Sequence, residues 1–170
     1  MRFSEHRSLT HTRIRIMIRK LMLVTALFFT AFTTSFAAED VYRACSNLVT
    51  DYAYHRDQFN AVEFSNLFTE NASLTVVSQT WVGRSNIEQR IEGLKTGSSI
   101  RHEMSTIRIV PIDDDNATGV SYATIYAAPA GETSVSGFVL MGEYHDEFVR
   151  TAEGWKISKR VLVQKYSLER

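Results

Sequence analysis

Apolar residues recur every three or four positions in three stretches of the first half of the chain. The longest stretch, residues 41–58, predicts an amphipathic helix, because this spacing places the apolar side chains on one face. Residues 60–68 and 86–95 predict two shorter helices. Ser85 and Glu88 have the spacing of a capping box at the start of the third helix. The apolar stripe of the first helix consists of Val41, Ala44, Cys45, Leu48, Val49, Tyr52 and Ala53.

The remainder of the chain alternates apolar and polar residues with the two-residue period of β-strands. Predicted strands occupy residues 71–79, 100–111 and 118–128, and a final hairpin occupies residues 135–166 around a turn at residues 151–154. The order helix, helix, strand, helix and four strands is typical of an α+β fold. We therefore predict a mixed, mostly antiparallel sheet, curved into a cone around about three N-terminal helices.

The first 37 residues have the pattern of a secretory signal peptide. Six basic residues and one acidic residue occupy positions 1–20, a short apolar run covers residues 21–32, and small residues lead to Ala37. This predicts a leader at residues 1–37, a domain at residues 38–170, and export to the periplasm or the medium. Because the run is shorter than a transmembrane helix, we expect no stable membrane insertion after cleavage. A retained membrane anchor and a start at Met17 stay open.

Charge and composition narrow the partners of the predicted domain. Without residues 1–37, 133 residues remain, with 13 basic and 18 acidic side chains and a formal net charge of −5, which argues against a nucleic-acid partner. Cys45 is the single cysteine, so an internal disulfide is excluded, and its place in the stripe predicts a buried filler. His55, His102 and His145 lack the spacing of metal ligands, and no phosphate or dinucleotide motif is present. We therefore predict no metal and no cofactor.

Five short motifs follow one another in an order that resembles the SnoaL-like family of the nuclear transport factor 2-like superfamily. The resemblance implies a ligand site inside the cone. It does not fix an activity, since this fold serves isomerases, dehydratases, dehydrochlorinases and proteins without catalysis. The motifs are DYAYHRD at residues 51–57, LFTENA at 67–72, WVGR at 81–84, IRH at 100–102 and GEYHDEFVRTAEGWKISKR at 142–160.

The resemblance also suggests roles for individual residues. In the cofactor-independent lyases of the scytalone dehydratase and dehydrochlorinase branch, a strand histidine acts as base and an aspartate near the end of the first helix orients it. His102 occupies the base position. His55 stands at the position of the aspartate, and Asp57 is the alternative orienting residue if the helix ends early. Tyr54 matches a helix tyrosine that donates a hydrogen bond, and Arg150 is the nearest equivalent of a strand arginine.

Further pocket residues follow from the strand pattern and from the resemblance. Met104 shares a strand face with His102, and Ser121 stands where the branch has a second strand histidine. Tyr144, Asp146 and Arg150 share one face of the penultimate strand, and these residues are predicted to bind the ligand if that face is concave. The alternatives are structural: a core histidine at His102, a packing tyrosine at Tyr54, a helix cap at His55 and a solvated carboxylate at Asp146.

Two functions from different classes fit these observations. The first is an exported lyase or isomerase that acts on a small lipophilic molecule, with His102 as general base, Tyr54 as donor to an oxyanion and His55 or Asp57 as orienting partner. The second is a non-catalytic module that binds a small ligand in the same apolar pocket. A homodimer with a vestigial pocket is a further alternative. Its interface would use the strand residues Ile107, Ile109, Ile125 and Val149.

Overall fold

The computed structural model describes residues 41–95 and 98–168. The predicted leader at residues 1–37 lies outside the described residues, so cleavage and export remain predictions. Within the described residues, no helix has the length and apolar character needed to cross a membrane.

Three helices precede most of the sheet. Helix α1 occupies residues 41–57, α2 is Ala61–Ser65 and α3 is Arg84–Glu92. The predicted apolar stripe of α1 is buried apart from the half-buried Ala44, and Cys45 is 0% exposed. Burial raises the pKa of the Cys45 thiol to about 12, so this cysteine is a protonated core residue.

The predicted capping box is wrong. Helix α3 begins at Arg84 and has Gly83 at its N-cap, without a capping hydrogen bond from a side chain. The carboxylate of Glu88 instead accepts a hydrogen bond of 3.1 Å from the hydroxyl of Ser65. Glu88 therefore links α3 to α2 and does not cap the start of its own helix.

Six strands form one sheet in the order β2-β1-β6-β5-β4-β3. The β1–β6 pair is parallel and the other neighbours are antiparallel, which confirms the predicted α+β fold with a mixed, mostly antiparallel sheet. Strand β2 was not among the predicted strands. The strands are β1 at Phe68–Val76, β2 at Gln79–Val82, β3 at Ser99–Pro111, β4 at Asn116–Ala128, β5 at Leu140–Thr151 and β6 at Gly154–Ser167.

A β-bulge in β3 reverses which residues face the helices. The pairing of β3 with β4 shifts between Ser105 and Arg108, and Thr106 adopts a left-handed φ of 49°. Before the bulge, His102 faces inward; beyond it, Ile109 does so and is 8% exposed. Ile125 is 6% exposed in the same core. The assignment of Ile109 and Ile125 to a dimer surface is therefore wrong.

A buried ion pair lies at the centre of the inner face. Arg160 donates from Nε and Nη2 to the two carboxylate oxygens of Asp146 at 2.6 and 2.7 Å, and both side chains are 0% exposed. The guanidinium carbon lies 4.1 Å from the ring centre of Tyr52. Burial acts to lower the pKa of Arg160, but the charge and hydrogen bonds of Asp146 raise it, so the guanidinium stays charged.

We expect Asp146→Asn to destabilise the domain by about 3–5 kcal/mol, because it leaves a buried guanidinium without a counter-charge. Urea unfolding followed by circular dichroism measures this loss. The matched control is Glu147→Gln on the outer face of the same strand. Its carboxylate meets Lys159 at 2.9 Å, with both side chains about half exposed. The control should change stability by less than about 0.5 kcal/mol. Equal stabilities of the two variants would contradict the expectation.

Candidate active site

Asp57 joins the end of α1 to the inner face of β3. One carboxylate oxygen, Oδ2, accepts a hydrogen bond of 2.8 Å from the backbone N–H of His102. The other, Oδ1, lies 2.6 Å from Nδ1 of the His102 ring. The two side chains are 7% and 4% exposed, respectively. The carboxylate therefore fixes both the backbone and the ring of the same histidine.

This geometry determines which ring nitrogen of His102 carries a proton in the neutral imidazole. A carboxylate oxygen accepts hydrogen bonds, so Nδ1 carries the proton and donates a hydrogen bond to Asp57. The second nitrogen, Nε2, is then an acceptor, and among the described residues it has no hydrogen-bond partner. An imidazole held in this tautomer can take a proton from a bound molecule.

His102 lines a cavity of about 180 Å³ between the helices and the sheet. Much of the wall is aliphatic, from residues on β1, β3, β4, β5 and β6 and the segment before β5. Tyr52, Arg56, Arg90 and Tyr144 supply the polar groups together with His102. The aliphatic residues are Val76, Ile100, Ile125, Val139, Leu140 and Leu162.

Two tyrosines stand beside His102 at this cavity. The Tyr52 ring meets the His102 ring edge to face, with centres 6.2 Å apart, and its centre lies 5.2 Å from that of Tyr144. Burial, and next the neighbouring Tyr52, raise the pKa of Tyr144 well above its ordinary value. Tyr144 therefore keeps its hydroxyl proton and can donate a hydrogen bond to a ligand oxygen.

The structure does not place His55 beside His102. Nδ1 of His55 lies 3.3 Å from the side-chain nitrogen of Asn60, in the turn that follows α1. The carboxylate next to His102 belongs to Asp57, so the comparison that put His55 at the orienting position was two residues out of register. The sequence therefore does contain a carboxylate for the orienting position.

Tyr54 and Met104 lie along a separate, open groove of about 420 Å³, which also reaches Asp57 and His102. Tyr54 is 60% exposed, and it does not line the cavity between the helices and the sheet. Helix geometry explains this placement, because residues advance by about 100° per position and Tyr54 therefore points away from the buried Tyr52. The phenol predicted from the resemblance is supplied inside the cavity by Tyr52 and Tyr144.

Three other predicted ligand-binding residues do not line the cavity between the helices and the sheet. Ser121 is 0% exposed and opposite Tyr144 in the sheet, but it does not line the cavity. Asp146 is bound to Arg160, as described above. Arg150 donates from Nε to the carbonyl of Asp114 at 3.0 Å, at the turn end of the hairpin. Of the predicted pocket side chains of β5, only Tyr144 reaches the cavity.

Sequence reasoning missed Tyr52, Arg56 and Arg90 as cavity residues. The signal was present in the helical spacing. Tyr52 belongs to the apolar stripe of α1, and Arg56 follows it by four residues, which places both on one face. Arg90 precedes the buried Ile91 of α3 by one position and lies on the edge of its inner face.

Among the described residues, no group of three or more histidine, cysteine, aspartate or glutamate side chains is placed to hold a metal ion. The expectation that the protein uses neither a metal nor a cofactor stays a prediction.

The model of the SnoaL-like domain family matches residues 38–161. This match covers well over half of the chain and confirms the family suggested by the motifs. No curated protein matches the chain significantly.

Solved structures share the fold at low sequence identity. A scytalone dehydratase-like protein of Novosphingobium aromaticivorans is 24% identical with a TM-score of 0.71, over 80% of this chain and 91% of that one. The hexachlorocyclohexane dehydrochlorinase LinA type 2 is 15% identical with a TM-score of 0.68, over 78% and 90%. ActVI-ORFA of Streptomyces coelicolor is 18% identical with a TM-score of 0.63, over 73% and 96%. These similarities establish the fold.

The two hydrogen bonds between Asp57 and His102 predict how the His102 tautomer responds to a change at Asp57. In Asp57→Asn, the amide oxygen must stay opposite the backbone N–H of His102, so the NH₂ group faces Nδ1. The neutral ring should therefore change from the Nδ1–H to the Nε2–H form, which long-range ¹H–¹⁵N spectra distinguish. Asp51→Asn, at an exposed position of the same helix, is the control and should leave the spectrum unchanged. An Nδ1–H form in Asp57→Asn would contradict this geometry.

Proposed function

The chain belongs to the SnoaL-like family, and from this premise we propose that it is a cofactor-independent lyase or isomerase with His102 as general base. The observation that carries the proposal is the Asp57–His102 pair, joined at 2.6 Å, at the wall of a largely aliphatic cavity. A base held in one tautomer beside an apolar space suits proton removal from a carbon acid. The substrate would be a small, largely apolar molecule.

In the proposed reaction, Nε2 of His102 removes a proton from a substrate carbon. The C–H electron pair forms a double bond, and the leaving group departs from the neighbouring carbon with its own bonding pair. A hydroxyl would leave as water after the imidazolium returns the proton to it, whereas a halide would leave directly. In an isomerisation, the imidazolium would return the proton to a different carbon. Asp57 would stabilise the imidazolium throughout.

The tyrosine hydroxyls at the cavity would stabilise negative charge on the substrate. The Tyr144 phenol remains protonated because burial and Tyr52 raise its pKa. A neutral phenol can donate to a carbonyl oxygen that becomes an enolate as the proton leaves. This role replaces the one assigned to Tyr54 from the sequence.

Two structural relatives have names that denote elimination reactions, namely dehydration and dehydrochlorination. At identities of 24% and 15%, these names guide the choice of substrates to test and do not assign a reaction to this chain.

Hydrogen–deuterium exchange at carbon tests the base without requiring knowledge of the leaving group. Small cyclic ketones and β-hydroxy or β-chloro carbonyl compounds would be incubated with the protein in D₂O and followed by NMR. We expect catalysed exchange in the wild type and a loss of at least about 100-fold in His102→Gln, since a general base contributes on that scale. Asp57→Asn should also lose exchange, because its ring presents Nε2–H to the cavity.

His145→Gln is the matched control for this experiment. His145 is exposed on the outer face of β5, where its Nε2 lies 3.0 Å from the Glu143 carboxylate, so its removal should leave exchange unchanged. Unaltered exchange in His102→Gln would refute the assignment of the base. Absence of catalysed exchange in the wild type across the panel would refute the enzymatic function.

The aliphatic wall also supports a second candidate, a module that binds a small molecule without changing it. For such a module, ligands would bind equally to the wild type and to His102→Gln, and neither protein would catalyse exchange.

We also propose that the protein is exported and that residues 1–37 are removed. A basic segment, a short apolar run and small residues before the cleavage site support this, as in other secretory leaders. N-terminal sequencing of the protein recovered from the periplasm or the medium should begin at Ala38. A full-length chain recovered in the membrane fraction would instead support a retained anchor.

A homodimer likewise remains a proposal, with a different surface from the one first expected. The outer face of the sheet combines Val110, Val120, Val161 and Val163 with charged neighbours, and the molecular mass in solution is the measurement that decides.

A further inference from the structure

Two arginines line the cavity without a carboxylate partner. Arg56 lies in the last turn of α1 and Arg90 in α3, and both line the same cavity as His102. Neither guanidinium has a hydrogen bond or an ion pair with the described residues, and Nη1 of each is buried without a partner. Two positive charges therefore line the cavity, and neither guanidinium has a hydrogen-bonded carboxylate among the described residues.

Arg56 is the more buried of the two. It is 7% exposed, and its guanidinium carbon lies 5.4 Å from the ring centre of Phe59. The adjacent carboxylate of Asp57 has both of its oxygens engaged by His102. The Arg56 guanidinium has left water with only a through-space attraction to Asp57 and without a hydrogen-bonded anion, which is unfavourable in the empty protein.

Arg90 adds a second charge to the same space. Its guanidinium carbon lies 4.5 Å from the ring centre of Trp81, so the two side chains form a cation–π contact. Burial, followed by the like charge of Arg90, lowers the pKa of Arg56. The two arginines therefore repel each other while the cavity is empty, and an anion between them would remove the repulsion.

Arg160 shows how this fold accommodates a buried arginine that has a structural role. Arg160 is fully buried, and although its Nη1 also lacks a partner, its charge is neutralised by Asp146, whose two carboxylate oxygens accept hydrogen bonds from Nε and Nη2. Arg56 and Arg90 have no such carboxylate among the described residues. This difference points to a ligand as the missing anion.

We propose that the ligand of this cavity is a small carboxylic acid whose carboxylate is bound between Arg56 and Arg90. Planar guanidinium groups match the geometry of a carboxylate and bind it through paired hydrogen bonds. The aliphatic wall would receive the apolar body of the acid. The volume of about 180 Å³ is below the roughly 300 Å³ at which ligand pockets usually begin, so the acid must be small.

This inference rests on the proposed function only in its choice of site and names the substrate class for it. A carboxylate fixed by two arginines would present the rest of the molecule to His102. Proton removal from the carbon next to the carboxylate would place additional negative charge on the group that the two guanidinium ions already contact, so they would favour that step.

Binding of matched acids and amides tests the proposal directly. Benzoate and cinnamate would be compared with benzamide and cinnamamide by isothermal titration calorimetry on the wild type. Each amide has nearly the shape of its acid but no charge. We expect each acid to bind at least about tenfold more tightly than its amide, as charge-assisted hydrogen bonds contribute on this scale. Equal affinities for acid and amide would overturn the proposal, and this comparison needs no variant.

Arg56→Gln and Arg90→Gln assign the preference to residues. Each should weaken acid binding by about tenfold or more and change amide binding by less than about threefold. Arg108→Gln, at an exposed position on β3, is the control and should bind as the wild type does. Without ligand, Arg90→Gln should unfold at the same temperature as the wild type or higher, because it removes a repulsion. Undiminished acid binding in both cavity variants would show that the arginines only stack on Phe59 and Trp81, and would overturn the proposal.

The two proposals can fail separately. Acid binding that persists in His102→Gln, in a protein that catalyses no carbon exchange, would support the carboxylate site and refute the enzyme. Exchange of neutral ketones that depends on His102, combined with equal binding of acids and amides, would support the enzyme and refute the carboxylate site.

Discussion

The geometry of the site depends on one carboxylate that is held between two N–H groups of a single residue. Asp57 ends a helix, where the backbone carbonyls already create a negative field, so a second negative charge is unfavourable unless donors surround it. The backbone and the ring of His102 supply those donors. The interaction thereby fixes the distance between α1 and β3, and the cavity occupies the space that this distance leaves.

Much of the fold could be predicted from periodicity, but the details of the site could not. Spacing by three and four residues identified the stripe of α1, two-residue alternation put His102 and Met104 on one face of their strand, and the family resemblance indicated that His102 faces a pocket. Alternation failed beyond Thr106, where the bulge shifts the parity of β3 and turns Ile109 into the core. A bulge has no distinct signal in a single sequence, because it results from the pairing of two strands.

The motifs did not identify which residue of α1 places a carboxylate beside His102. Motif comparison placed His55 where related lyases have an aspartate, while the structure selects Asp57 two residues later. A shift of two residues rotates a side chain by about 200° around a helix, so a small error of register moves a residue to the opposite face. Helical spacing is a better guide to the cavity residues of α1. Arg56 lies one turn after the buried Tyr52, on the same face of the helix, and both line the cavity. A stripe defined by apolar residues gives no signal for arginines, so it does not indicate that Arg56 lines the cavity.

Arg56 and Asp57 are neighbours in the chain, and this adjacency limits how the ligand preference of the protein could change by mutation. Under the two proposals, one turn of α1 carries both the group that would bind the ligand and the group that would position the base. A mutation that distorts this turn would impair recognition and chemistry together, so selection for a new substrate is constrained there. Val139, just before β5, and Leu140, its first residue, line the same cavity from another part of the chain. Changes in substrate range should therefore accumulate on that wall, where the shape of the space can vary while the base stays in place.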